Sequence, residues 1–364
     1  MREYLLTLVV AAAVTFLATP LMRRLATRWG AMAVVRDRDV HAIPTPRLGG
    51  VAMLAGFGAA LLVARQLPFL GDIFDQSRDA RAVMSGAVII CALGILDDRY
   101  DLDAITKLAG QVLAAGVMAA QGIQMLWLPI GGAFLLGPVE GLVLTVVVVV
   151  VTINAVNFVD GLDGLAAGIV AIAGTAFFGF SYLLAIEKNL VRATTASLVT
   201  AALVGVCLGF LPHNFTPARI FMGDSGSMLL GLLLAASTIS LTGGLDPNQV
   251  GKDVAPAFLP LLLPIAVLVV PLADLLLAVV RRTRAGRSPF APDKQHLHHR
   301  LLEIGHSQAR AVLIMYLWSA VLAFGATALA FLNPRELLVS FVLVVAVAAL
   351  LTVNIPRLRA ARRS

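Results

Sequence analysis

The chain has 364 residues, of which 59% are hydrophobic and 13% charged, against roughly 45–50% and 25% in soluble domains. That apolar excess excludes a soluble globular protein and makes lipid the natural solvent. The net charge of +7 points to membrane topology rather than nucleic-acid binding, because most basic residues lie in short loops between apolar runs.

A bilayer core of roughly 30 Å needs about 20 apolar residues in a helix. On that scale an all-α, polytopic membrane protein of about eleven transmembrane helices is predicted. The spans are 4–22, 49–69, 82–97, 105–121, 139–156, 163–185, 193–211, 227–242, 256–279, 311–331 and 336–355. The fourth is weakened by Lys107, Gln111 and Gln121. The segment 123–138 is apolar but broken by proline and glycine, and is predicted as a short non-spanning hairpin. The first apolar run is long and no A-x-A-type site follows it, so no cleavable signal peptide is expected. Cys91 and Cys207 fall inside apolar runs and are expected to be small buried hydrophobes. The chain contains no long linker or low-complexity tract, so 1–364 is taken as one membrane domain.

Eleven spans put the termini on opposite sides. With the N-terminus outside and the C-terminus cytoplasmic, the inner segments are 23–48, 97–107, 154–162, 212–226, 281–310 and 357–364. They hold 20 of the 28 lysines and arginines, as the positive-inside rule requires.

Ionisable residues at membrane depth are costly and mark function, and here they gather at the inner ends of spans in five patches. The first runs from His41 through Pro44, Pro46 and Arg47 to Gly49 and Gly50; its prolines hold the chain extended and its glycines allow close approach. The second is Asp97, Asp98, Asp101 and Asp103 with Lys107. Carboxylates so crowded repel one another unless a cation sits among them, and such acids can bind Mg²⁺ or act as a base. The alternative is a solvated loop paired with Arg99 and Lys107.

The third patch, Asn154, Asn157, Asp160 and Asp163, follows an unbroken valine run from Val146 to Val151. A three-residue spacing would place these groups on one helical face, after which two Asp-Gly steps break the helix and expose backbone N–H groups. The fourth surrounds Phe221 and Asp224 in ARIFMGDSGS, where helix capping by Asp224 is the simpler alternative. The fifth is the basic loop 281–310 with Arg281, Arg282, Arg284, Arg287, His296, His298, His299 and Arg300. Clustered arginines suit phosphate. Zinc fits the histidines less well, because no cysteine is near and the loop is strongly cationic. All five patches fall on one side, so a single site is expected.

In this order PTPRLGG, LDDRYDL with Lys107, NAVNFVDGLDGLAAG, ARIFMGDSGSMLLG and DKQHLHHRLLEIG resemble the polyprenyl-phosphate N-acetylhexosamine-1-phosphate transferases, sister to the phospho-MurNAc-pentapeptide translocases. The resemblance covers nearly the whole chain. It implies a bundle of ten or eleven spans in a bacterial inner membrane with a cytoplasmic active site. The partners it implies are a UDP-sugar and a polyprenyl phosphate, with no nucleic acid; a homodimer is compatible with it. It implies Mg²⁺, with Mn²⁺ as a substitute, on Asn157 and Asp224. Asp97, Asp98 and Asp160 would be catalytic, the Asp97–Asp98 pair lying near the lipid phosphate. Lys107 would contact that phosphate, and Asn154 would complete a polar floor with Asp160. Asp163, Phe221 and His41 would form the uridine pocket, and Arg287, His296, His298 and His299 would select the sugar. PTPRLGG and HLHHRLL resemble the N-acetylglucosamine branch, so UDP-N-acetylglucosamine is the expected donor. The pentapeptide substrate and, outside the family, a secondary transporter are the alternatives.

Overall fold

The computed structural model describes residues 1–33, 44–128, 134–188, 191–244, 283–284, 307–328, 341–342, 344–349 and 352. The expected span 256–279, most of 336–355 and of loop 281–310, and the residues His41, Arg287, His296, His298 and His299 lie outside the described residues.

Long apolar segments form helices because in lipid only a helix satisfies its own backbone. In chain order these are α1 (Arg2–Trp29), α2 (Gly49–Ala64), α3 (Pro68–Gln76), α4 (Asp79–Tyr100), α5 (Ala104–Ala120), α6 (Pro138–Val159), α7 (Leu165–Lys188), α8 (Val191–Asn214), α9 (Gly223–Gly244) and, near the end of the chain, α10 (Gln308–Ala328). Among the described residues seven helices, α1, α4, α6, α7, α8, α9 and α10, are long and apolar enough to cross a membrane. The chain is a multi-span membrane protein.

The span expected at 49–69 is instead two helices, α2 and α3, bent by 99°. Pro68 lacks an N–H and pushes Leu67 out of helical geometry, and Leu67 is extended at ψ 143°. The Glu3 carboxylate then accepts from the Phe69 N–H at 3.1 Å and the Leu70 N–H at 2.8 Å, capping α3 from a distant part of the chain. The segment at 123–138 does not span: β1 (Trp127–Leu128) pairs antiparallel with β2 (Phe134–Leu135). Helix α5 has 17 residues, about 26 Å at 1.5 Å per residue.

Helix α9 is buried along nearly its whole length and packs against α2, α4, α6 and α8. Without a hydrophobic force between helices in lipid, such packing depends on small residues and cross-helix hydrogen bonds. Its hydroxyls at Ser237, Thr238 and Thr242 bond carbonyls one turn back, and Ser240 donates to the buried Asp79 of α4 at 3.0 Å. Cys91 and Cys207 are buried and unpaired, as expected.

Candidate active site

The start of α9 is held by backbone contacts that only small residues permit. The Gly49 N–H donates to the Phe221 carbonyl at 3.1 Å, the Gly50 N–H to Met222 at 2.9 Å, and the Phe221 N–H to Pro46 at 2.8 Å. A Cβ at Gly50 would overlap the backbone of Gly226, and one at Gly94 would overlap that of Ser225. Helices α2, α4 and α9 therefore meet main chain to main chain. Gly223 has φ 70°, and a Cβ there would strike the Asp98 carboxylate.

The first turn of a helix presents N–H groups that lack partners. At α9 they are met by Asp98 of α4, which is 6% exposed. Its Oδ1 accepts from the Asp224 N–H at 2.8 Å, and its Oδ2 accepts from the Ser225 N–H at 3.2 Å and Oγ–H at 2.8 Å. Asp98 is thus an N-cap supplied by another helix, with both oxygens engaged. Consecutive helical residues point about 100° apart, so Asp97 faces elsewhere. It accepts from the Leu102 N–H at 2.8 Å and pairs with Lys107 at 2.6 Å.

Lys107 also lies 3.3 Å from Asp224 Oδ2, so one ammonium bridges carboxylates of α4 and α9. Asn157 of α6 donates to Asp224 Oδ1 at 2.7 Å and to Ser227 Oγ at 2.8 Å. Its amide oxygen accepts no hydrogen bond among the described residues. One turn earlier Asn154 donates to Gln111 Oε1 at 2.7 Å. Four helices thus bring Asp97, Lys107, Asn157 and Asp224 to one point.

Of the third patch, only Asn154 and Asn157 share a helical face. Helix α6 ends at Val159, with Asp160 as its C-cap. Burial strips hydration from Asp160, and repulsion from Asp224 and Asp98 adds to this; together they push its carboxyl up to about 8 against the pull of Arg47. A cation entering the cluster would lower it again. Asp163 is buried and accepts from the Ala218 N–H at 3.0 Å. The adjacent Gly164 N–H donates to Asn214 at 3.0 Å, Asn214 donates on to the Ile220 carbonyl at 3.0 Å, and Tyr316 of α10 donates to the Gly164 carbonyl. Asp163 and Phe221 therefore sit on two loops tied together beside the cluster. Asp101 and Asp103 stand apart: Asp101 ends α4 in a left-handed conformation at φ 54°, and Asp103 caps α5. Hydrogen bonds from Thr106 hold the Asp103 carboxyl below its usual range.

Three residues were not anticipated as part of the site. In sequence Gln111 reads only as a polar interruption of a span, yet it lies one turn beyond Lys107 and accepts from Asn154. Asn214 and Tyr316 act through long-range bonds to backbone and leave no local sequence signal.

Among the described residues no group of three or more His, Cys, Asp or Glu side chains could hold a metal unaided. The donors present at the cluster are oxygens: the Asp224 and Asp97 carboxylates and the amide oxygen of Asn157, which has no donor among the described residues. That set suits Mg²⁺, which takes one or two carboxylates and fills its shell with water and substrate phosphates.

The sequence model of glycosyl transferase family 4 matches residues 80–242, the stretch holding Asp97, Asp98, Lys107, Asn154, Asn157, Asp160, Asp163, Phe221 and Asp224. The chain is 48% identical over 365 aligned positions to the decaprenyl-phosphate N-acetylglucosaminephosphotransferase of Mycobacterium tuberculosis, covering 99% of this chain and 90% of the relative. It is 34% identical to a probable undecaprenyl-phosphate N-acetylglucosaminyl 1-phosphate transferase of Bacillus subtilis, covering 90% and 86%. It is also 34% identical to a phospho-N-acetylmuramoyl-pentapeptide-transferase of Desulforudis audaxviator, covering 86% and 95%. Similarity of this extent, with the polar cluster inside the matched region, makes the chain a member of glycosyl transferase family 4.

Proposed function

We propose that the protein transfers N-acetylglucosamine-1-phosphate from UDP-N-acetylglucosamine to a polyprenyl phosphate of the decaprenyl or undecaprenyl type. The products are polyprenyl-diphospho-N-acetylglucosamine and UMP, and the step opens assembly of a cell-envelope polysaccharide. The observation that carries this reading is the convergence of Asp97, Lys107, Asn157 and Asp224 from α4, α5, α6 and α9 at helix ends, three of these helices being long enough to cross a membrane. A polyprenyl tail cannot leave lipid and a UDP-sugar cannot enter it, so the chemistry belongs at such an end. The sugar assignment draws on the 48% identity to the mycobacterial relative, against 34% to the pentapeptide transferase. Membership of a transferase family sets the transporter alternative aside.

In this reading the chain forms one domain of eleven spans, with the cluster on the cytoplasmic side, in keeping with the asymmetry of its basic residues. A lipid-phosphate oxygen attacks the β-phosphorus of the nucleotide sugar. The bond from that phosphorus to the bridging oxygen breaks, and UMP departs with the electron pair. Two anions must approach, so the protein's contribution is positioning and charge compensation. Lys107 is placed to exchange its carboxylate partners for phosphate oxygens. Asp224 and Asn157 would hold Mg²⁺, which when bound neutralises charge on the diphosphate. Asp97 steers Lys107. A phosphate monoester is largely dianionic at neutral pH, its second pKa being about 6, so no general base is required. Asp163 and Phe221 border the space assigned to uridine.

The test is to incubate purified protein with decaprenyl phosphate, Mg²⁺ and a panel of UDP-sugars, and to weigh the lipid product. A mass gain of one N-acetylhexosamine phosphate with UDP-N-acetylglucosamine is expected. Product only from the pentapeptide donor, or none from any, would overturn the reading.

A further inference from the structure

Helices α2 and α4 each touch the start of α9, through Gly50 and Gly94. Towards their other ends, roofed by the bend into α3, they enclose an open cavity of about 550 Å³. Its walls are largely apolar, built from Gly58, Leu61, Leu62, Met84 and, from α3, Phe74, and Arg65, Arg81 and Asp75 also line it. The volume falls within the roughly 300–1,000 Å³ of ordinary small-molecule sites. Arg81 precedes Asp98 by 17 residues along α4, about 25 Å, so the cavity is remote from the carboxylate cluster.

Its place near a membrane boundary follows from the helix ends: Arg65 directly follows α2, and Arg81 lies in the first turn of α4. Arg65 and Arg81 are exposed, and neither makes an ion pair among the described residues. With Asp75 they give the cavity one net positive charge.

We propose that this cleft is a phospholipid site: one acyl chain of an anionic phospholipid occupies the cavity, and the lipid phosphate rests on Arg65 and Arg81. A cavity walled largely by hydrocarbon between the helices of a membrane protein is better filled by a lipid tail than by water. Two guanidiniums lining one cleft offer planar donor forks and charge suited to a phosphodiester. The reacting phosphate of the proposed transfer is about 25 Å away, so the site is distinct from the catalytic one.

Full-length protein in detergent is titrated with phosphatidylglycerol, and bound lipid is counted by native mass spectrometry. One tightly retained lipid is expected, held roughly tenfold or more weakly by R65Q/R81Q, since charge-assisted hydrogen bonds are lost. It should be absent from Gly58→Leu and from Leu62→Trp, two independent ways of filling the cavity. Phosphatidylcholine should bind less well. Undiminished retention in R65Q/R81Q would overturn the headgroup assignment, and undiminished retention in both filling variants would overturn the cavity. One-for-one displacement by decaprenyl phosphate would hand the cavity to the substrate tail, and displacement by inorganic phosphate alone would hand the arginines to a soluble anion; either result overturns the proposal.

Discussion

Asp98 offers the sharpest contrast between a chemical and a positioning role. Asp98→Asn preserves size but turns one acceptor into a donor. Asp98 Oδ1 serves the Asp224 N–H and Oδ2 serves the Ser225 N–H and hydroxyl. Whichever way the amide faces, one N–H of the first turn of α9 loses its acceptor. A buried donor left without a partner costs about 1–3 kcal/mol, and removing the negative charge from a helix N-terminus adds up to about 1 kcal/mol. The bias against the present placement of Asp224 is then roughly 1–4 kcal/mol, and turnover should fall about 5- to 700-fold at 1.4 kcal/mol per decade. UMP release measured against Mg²⁺ and pH reads the effect. The Mg²⁺ requirement should rise, because Asp224 is displaced, and the acidic limb of the pH profile, set by protonation of the acceptor phosphate near its second pKa of about 6, should survive. Ser225→Ala should cost about fivefold, and the double variant should lose less than the product of the two, since both alter one contact. Wild-type turnover in Asp98→Asn at wild-type Mg²⁺, or disappearance of the acidic limb, would refute the positioning role.

Removing divalent cations with a chelator should stop turnover, and added Mg²⁺ should restore it. Asn157→Ala should leave no measurable UMP release while the purified protein keeps its helical circular dichroism. Gly94→Ala forces a Cβ into the Ser225 backbone and should cost at least the roughly 1–3 kcal/mol of an overpacked contact, seen as a lower melting temperature with loss of activity. Gly116→Ala meets nothing within 4 Å and should be neutral or slightly stabilising, by up to about 1 kcal/mol. Tyr316→Phe removes the hydroxyl that holds the Gly164 carbonyl. It should cost about 1 kcal/mol and speed proteolysis at residues 161–164.

Much of the fold was legible because hydropathy and length nearly determine a spanning helix. The segments 139–156 and 193–211 lie inside α6 and α8, and the interrupted stretch at 123–138 is a hairpin. The bend in 49–69 was hidden, since Pro68 is one residue in an apolar run and its effect depends on Glu3 capping α3 from another helix. Within the site, the residue types and their gathering at span ends were readable. The division of labour was not. Asp97 and Asp98 are chemically identical neighbours, and only the rotation of α4 sends one to Lys107 and the other to α9. The expected helical row from Asn154 to Asp163 stops at Val159, because the chain turns at the first Asp-Gly step. Tyr316 reaches Gly164 across 152 positions, a pairing that no local pattern encodes.

The most direct measurement compares UMP release by wild-type protein and by Asp224→Asn, with decaprenyl phosphate, UDP-N-acetylglucosamine and saturating Mg²⁺. The account predicts UMP equimolar with the new lipid diphosphate in the wild type and none above background in the variant. Undiminished release by Asp224→Asn would contradict it, because the four-helix cluster would then not be where the phosphates meet.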